Sequence, residues 1–125
     1  MKLTVVMYHY VRDPSRSRFP AIKGLSIEDF KGQLAYLERH YTPVTMPDVL
    51  DSLQKKKELP KAPVLLTFDD GYLDHYETVT PLRQARGWSG VFFPPGRAIA
   101  EHAVLDVNKI HFILASVEDP QILVS

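Results

Sequence analysis

The sequence contains no cysteine, which excludes disulfide frameworks and thiol chemistry and leaves any metal site to His, Asp, Glu, water and carbonyl oxygens. It has no excess of charge either. Fifteen Lys and Arg balance fifteen Asp and Glu, so no overall field exists to hold a nucleic-acid backbone or an anionic membrane, and no nucleic acid is expected as a partner. Apolar runs are short. None approaches the roughly 20 residues that cross a bilayer, so no membrane span is expected. The opening Met1 to Tyr8 has one basic residue and meets His9 and Arg12 too soon for a signal peptide. A cytoplasmic location is therefore the default expectation, with an earlier export signal left open. No repeat, low-complexity tract or linker is visible.

What is present is ordinary for a globular chain: 45% hydrophobic and 24% charged residues over 125 positions. That length suits one domain, or part of one, and is short for a closed α/β barrel. Leu3 to Tyr8 is apolar and β-branched with little alternation, as expected of a strand covered on both faces. Ser26-Ile27-Glu28-Asp29 is a capping-box pattern ahead of Phe30, Leu34, Leu37 and Tyr41 at helical spacing, which gives a helix from about Ile27 to His40. Thr45-Met46-Pro47-Asp48 opens a second, short helix with an apolar stripe of Val49, Leu50 and Leu53. Lys55 to Lys57 read as its solvated end.

Pro63 to Phe68 is a second buried strand, stopped by Asp69-Asp70-Gly71. Tyr76, Val79, Leu82 and Ala85 continue at helical spacing to Gly87, with Pro81 kinking that helix or starting its second half behind a Thr80 cap. Trp88 to Phe93 is a third strand, closed by Pro94-Pro95-Gly96. Asp106 to Ser116 suggests a buried helix on Val107, Ile110, Phe112, Ile113 and Leu114. Asp119-Pro120 looks like a further helix beginning with too little chain after it to bury anything. The alternation of strands and helices gives an α/β class with parallel strands. In such folds reactive groups gather at the carboxyl ends of strands, where His9, Asp69-Asp70 and Pro94-Pro95-Gly96 all fall.

The adjacent carboxylates Asp69 and Asp70 carry the chemistry. Two such groups after a buried strand repel each other and lose hydration together, which favours a metal ligand beside a base. On a regular strand they would face opposite sides, so sharing one site requires a bend that Gly71 permits. The competing reading is a polar turn that caps the next helix.

Leu65-Leu66-Thr67-Phe68-Asp69-Asp70-Gly71-Tyr72 resembles the first motif of polysaccharide deacetylases of the NodB-like type, carbohydrate esterase family 4. Met7-Tyr8-His9-Tyr10-Val11 and Gly90-Val91-Phe92-Phe93 resemble strands of the same group, so the resemblance spans roughly residues 3 to 96. It implies the N-terminal part of a distorted (β/α) barrel, with residues 1–125 a partial domain. It also implies removal of acetyl groups from N-acetylated amino-sugar oligomers or polysaccharides with a divalent metal, zinc being usual. Carried over by position, Asp69 is the general base and Asp70 the metal ligand. The ion would activate water and polarise the acetamide carbonyl, with a backbone N–H after the strand helping to hold the oxyanion.

The sequence departs from the family in having no His-Ser/Thr-x-x-His pair to complete the metal site, and nothing after Gly96 matches the later motifs. Among the five histidines, His9 lines the site or is a satisfied half-buried residue. His75 lies beside the motif, with solvent exposure the more ordinary reading. His40 sits at a helix end, His102 and His111 have the wrong spacing for ligands one turn apart, and packing explains His111. Tyr72 is the aromatic expected to be exposed among Tyr72, Tyr76, Trp88 and Phe92, and Asp74 fits a helix N-cap next to the motif. Two rival readings stand beside the deacetylase: a truncated or degenerate domain that binds carbohydrate or a partner without turnover, and a magnesium-dependent phosphotransfer site. Contiguous Asp-Asp without a Gly-rich phosphate loop counts against the last. A partial barrel would leave strand edges and apolar faces that self-association could cover.

Overall fold

The computed structural model describes residues 2–118; the helix start expected at Asp119-Pro120 lies outside them. Six consecutive buried residues, Pro63 to Phe68, make β3 (Pro63–Asp69) the strand around which the rest is laid. Pro63 can begin it because a first strand residue need not donate to the ladder. β1 (Thr4–Tyr8) runs parallel along one edge, from Thr4 opposite Val64 to Tyr8 opposite Phe68. The other edge is shared. β2 (Thr42–Pro43) takes its beginning and β4 (Val91–Phe93) its end, with Asp69 opposite Phe93. Because all pairings are parallel, the carboxyl ends of β1, β3 and β4 open on one side of the sheet.

One face of the sheet packs beneath α1 (Ile27–His40), whose Phe30, Leu34 and Leu37 meet Tyr8, Val64, Leu66, Phe68 and Val79. Ser26 caps α1 as its sequence suggests, accepting from the Asp29 N–H. Phe68 lies at the centre, stacked on Phe92 at 4.9 Å and on Tyr8 at 5.3 Å, with Phe30 edge-on to Tyr8 at 5.1 Å. On the opposite face Leu65 packs with Val44 and with Val49 of α2 (Met46–Leu53). Thr45 and Asp48 close a reciprocal capping box on α2, and Lys57 pairs with Asp48 at 2.9 Å. Beyond β3 come a π-helical turn (His75–Val79), α3 (Thr80–Gln84), α4 (Gly96–Ala100) and α5 (Asp106–Ser116).

Five expectations are corrected. β1 is covered on one face only, since Val5 and Met7 are exposed on the other. Leu50 and Leu53 are exposed, leaving Val49 as the buried anchor of α2. The third strand starts at Val91 rather than Trp88, because the Trp88 N–H is held by the Arg83 carbonyl and its carbonyl by the Arg83 guanidinium. Thr80 does not cap α3; its hydroxyl donates to the His75 carbonyl at 2.8 Å. α5 has the expected bounds but is not buried: Val107, Ile110, Ile113 and Leu114 are exposed, and Asn108 is its one buried residue.

Truncating Phe30, fully buried against two rings of the sheet, should cost about 3–5 kcal/mol. Urea denaturation of Phe30→Ala measures this; a loss under about 1 kcal/mol would mean the α1 interface does not carry the core.

Candidate active site

At the end of β3 the Asp70 N–H still reaches the Phe93 carbonyl at 3.1 Å, and then the chain reverses. Asp70 has φ +72° and Gly71 φ +62°, two successive residues in the left-handed region. Asp tolerates that region better than most residues. At Gly71 a side chain is excluded twice, by φ and because a Cβ would sit 2.9 Å from Pro94 Cβ. The turn brings both carboxylates to one site. Asp69 Oδ2 and Asp70 Oδ2 each lie 4.0 Å from His9 Nε2, all three side chains being partly exposed.

The expected site residues differ in what they do. His9 and the two aspartates are together at the open end of the strands. Tyr72 is half-buried rather than the exposed aromatic: its ring stacks on Tyr10 at 4.1 Å and its hydroxyl donates to Asp70 Oδ2 at 2.7 Å. Burial, with help from Tyr10 and Asp70, pushes that hydroxyl far above the ordinary phenol range, so it stays a donor. Of the four aromatics weighed, Tyr76 is the exposed one. Asp74 makes no side-chain cap to the helix after it. Instead it accepts from Arg12 Nε at 2.8 Å and from the Val11 N–H at 3.3 Å, tying the chain beyond β1 to the motif.

His75 corrects the exposed reading and does not line the site, for it is 3% exposed. Its Nε2 lies 2.7 Å from the His9 carbonyl, which can only accept, so Nε2 carries the proton. Phe68 and Tyr72 stand edge-on to its ring. It thus fixes the backbone of His9 from behind. Two residues were missed from sequence: Tyr10, buried under Arg12 with the guanidinium 4.5 Å from its ring centre, and Asn108, whose amide reaches both tyrosine hydroxyls. A lone amide within the apolar α5 pattern was the available signal. His111 is exposed, not packed away, and its Nδ1 meets the Tyr10 hydroxyl at 3.2 Å.

A groove of about 620 Å³ adjoins His9, lined by Tyr10, Ile22, Lys23, His111 and Leu114. A somewhat larger hollow, about 710 Å³, lies between β1 and α1; Asp69 and Asp70 line neither, and it is His9 that joins the smaller groove to the pair. The donor set for a metal is short. Among the described residues no group of three His, Cys, Asp or Glu could hold an ion.

Parallel strands thus carry Thr-Phe-Asp-Asp-Gly into a left-handed turn, with a histidine facing both carboxylates. The sequence profile of the polysaccharide deacetylase family matches residues 56–121, and the chain belongs to that family. It is 34% identical over 93 residues to the poly-β-1,6-N-acetyl-D-glucosamine N-deacetylase of Escherichia coli K12, covering 73% of this chain and 13% of that protein. The structure of IcaB from Ammonifex degensii superposes with a TM-score of 0.62 at 34% identity, and a de-N-acetylase from Aggregatibacter actinomycetemcomitans with 0.64 at 28%. Each match covers 74% of this chain and 37% of the other. The fold is thus part of a (β/α) barrel of the deacetylase type.

Gly71→Ala should destabilise by about 1–3 kcal/mol from strain alone, and more from the Pro94 contact. Gly87→Ala, at φ +67° with nothing within 4 Å of the added Cβ, should cost only the strain. Paired denaturant titrations check the order; equal losses would mean the close approach of Pro94 is not a constraint.

Proposed function

We propose that this chain supplies the paired-carboxylate part of a metal-dependent hydrolase that removes acetyl groups from N-acetylated amino sugars or their polymers. The observation that carries the reading is the convergence of Asp69 and Asp70 on His9 in a member of this family. Asp69, the last residue of β3, is the general base. It takes a proton from water as the water oxygen attacks the acetamide carbonyl carbon. The Asp70 N–H is engaged by Phe93, so the oxyanion of the tetrahedral intermediate is left to the N–H groups of Gly71 or Tyr72. His9, facing both carboxylates, is placed to hand a proton to the leaving nitrogen as the C–N bond breaks. The products are acetate and the free amine.

The divalent ion that the family implies does not fit this donor set by itself, since a catalytic zinc site takes about three protein ligands. Asp70 would be one; the others would come from outside the described residues. The substrate is an acetylated amino-sugar oligomer or polysaccharide, as the name of the Escherichia coli relative suggests, and the groove beside His9 would take a sugar ring. We read residues 1–125 as part of a deacetylase domain. Val5, Met7 and Phe93 expose an apolar sheet face that further barrel strands, or self-association, would cover. No helix among the described residues is long and apolar enough to cross a membrane. Membership of this family counts against phosphotransfer.

Acetate release from N-acetylglucosamine oligomers with added zinc or cobalt, measured on protein in which this chain is joined to the rest of the deacetylase domain, tests the reading. Asp69→Asn and Asp70→Ala should each lower release by about a hundredfold or more, the scale of a lost general base. Release that is absent from folded wild-type protein, or unchanged in both variants, would favour a non-catalytic carbohydrate-binding domain.

A further inference from the structure

α5 docks in an unusual way: its one buried side chain is an amide, Asn108 at 7% exposure, while its apolar residues Val107, Ile110, Ile113 and Leu114 face outward. A buried amide is costly unless bonded. Here the Nδ2 group donates to Tyr10 Oη at 2.9 Å and to Tyr72 Oη at 2.8 Å, using both of its hydrogens. Tyr72 in turn donates to Asp70 Oδ2 at 2.7 Å.

The direction of this chain is fixed by valence. An ionised carboxylate only accepts, so the single proton of the Tyr72 hydroxyl must point at Asp70. The Tyr72 oxygen is then an acceptor, and the group presented to it must be the NH2 of Asn108 rather than its carbonyl. With an acceptor in that place, Tyr72 could turn its proton away and the hold on Asp70 would be lost. The same amide makes Tyr10 an acceptor, which leaves the Tyr10 proton for His111 Nδ1 at 3.2 Å.

We propose that Asn108 is a positioning residue for the Asp70 carboxylate, acting through the Tyr72 hydroxyl, whose proton it keeps aimed at Oδ2. Asn108 touches no reacting atom. It couples the docking of α5 to the orientation of one carboxylate of the pair. The inference rests on the reading of Asp70 as a working carboxylate, but its structural half stands apart from turnover.

The test is the side-chain carboxyl ¹³C resonance of Asp70 at a fixed neutral pH. Asn108→Asp keeps the side chain's size but replaces the donor by an acceptor, and Asn108→Ala removes the group. Both should move the Asp70 resonance in the direction that Tyr72→Phe moves it, and neither should move it further in a Tyr72→Phe background. That coupling separates positioning from mere support: a loosened α5 would disturb Asp70 in either background. A resonance unmoved by the Asn108 variants, or moved equally with Tyr72 absent, overturns the proposal. Where acetate release is measurable, Asn108→Asp should lower kcat about tenfold with KM within about twofold, the scale of one hydrogen bond to a charged group. Absence of release from the complete wild-type domain would instead overturn the deacetylase reading and leave the resonance to decide this one.

Discussion

The site depends on one backbone constraint, the passage of two consecutive residues through the left-handed region at the end of β3. A strand sends successive side chains to opposite faces, and without the reversal at Asp70 and Gly71 one carboxylate would enter the helix-covered face of the sheet. The turn exists because Gly71 has no Cβ to strike Pro94, and because Asp70 accepts a conformation that a β-branched residue would resist. Pro94 packs there because Phe93 is the last ladder partner of Asp69. The Asp-Asp-Gly turn and the Pro94-Pro95 turn therefore define each other's geometry.

A strained turn needs a rigid base, and the base is aromatic. Phe68, one residue before the pair, is clamped between Tyr8 and Phe92 and leaves no room for a side chain at residue 90, where a Cβ would lie 2.8 Å from its ring. The residues after the turn are anchored just as firmly to the chain beyond β1. Asp74 holds Arg12 and the Val11 N–H, and His75 holds the His9 carbonyl. The two strand ends that carry the site are thus fastened through polar groups packed behind it, so that His9 can stay half exposed and still keep its distance to both carboxylates.

How much of this was legible follows from which forces write themselves into sequence. α1 reads correctly to the residue because a Ser cap and a single apolar stripe both specify it. The bounds of α5 are equally readable, yet its burial is not. Five apolar residues on a helix look like a core stripe, and only tertiary context shows that the docked side is the amide. β1 misleads in the same way, since a run of β-branched residues says nothing about whether both sheet faces are covered. His75 was misplaced for a different reason. Pro81 has no N–H and crowds the carbonyl four residues back, and the chain relieves this with the π-helical turn His75–Val79, closed by the Thr80 N–H on the His75 carbonyl. That turn departs from the 3.6-residue period on which a helical reading of exposed and buried positions relies.

The two carboxylates are neighbours in sequence but not in circumstance, and this asymmetry supports unequal roles. Asp69 still belongs to the ladder through Phe93, so its backbone is held by the sheet, and its carboxylate, like that of Asp70, lies 4.0 Å from His9 Nε2. Asp70 has left the sheet for the turn, and its order comes instead from the Tyr72 hydroxyl, which engages one oxygen at 2.7 Å and is itself held by α5. A carboxylate held by a neutral donor has a defined direction, which suits the meeting with a cation proposed for it. The proposed roles, base for Asp69 and electrostatic anchor for Asp70, come from the family resemblance, and the tyrosine contact of Asp70 is in keeping with them.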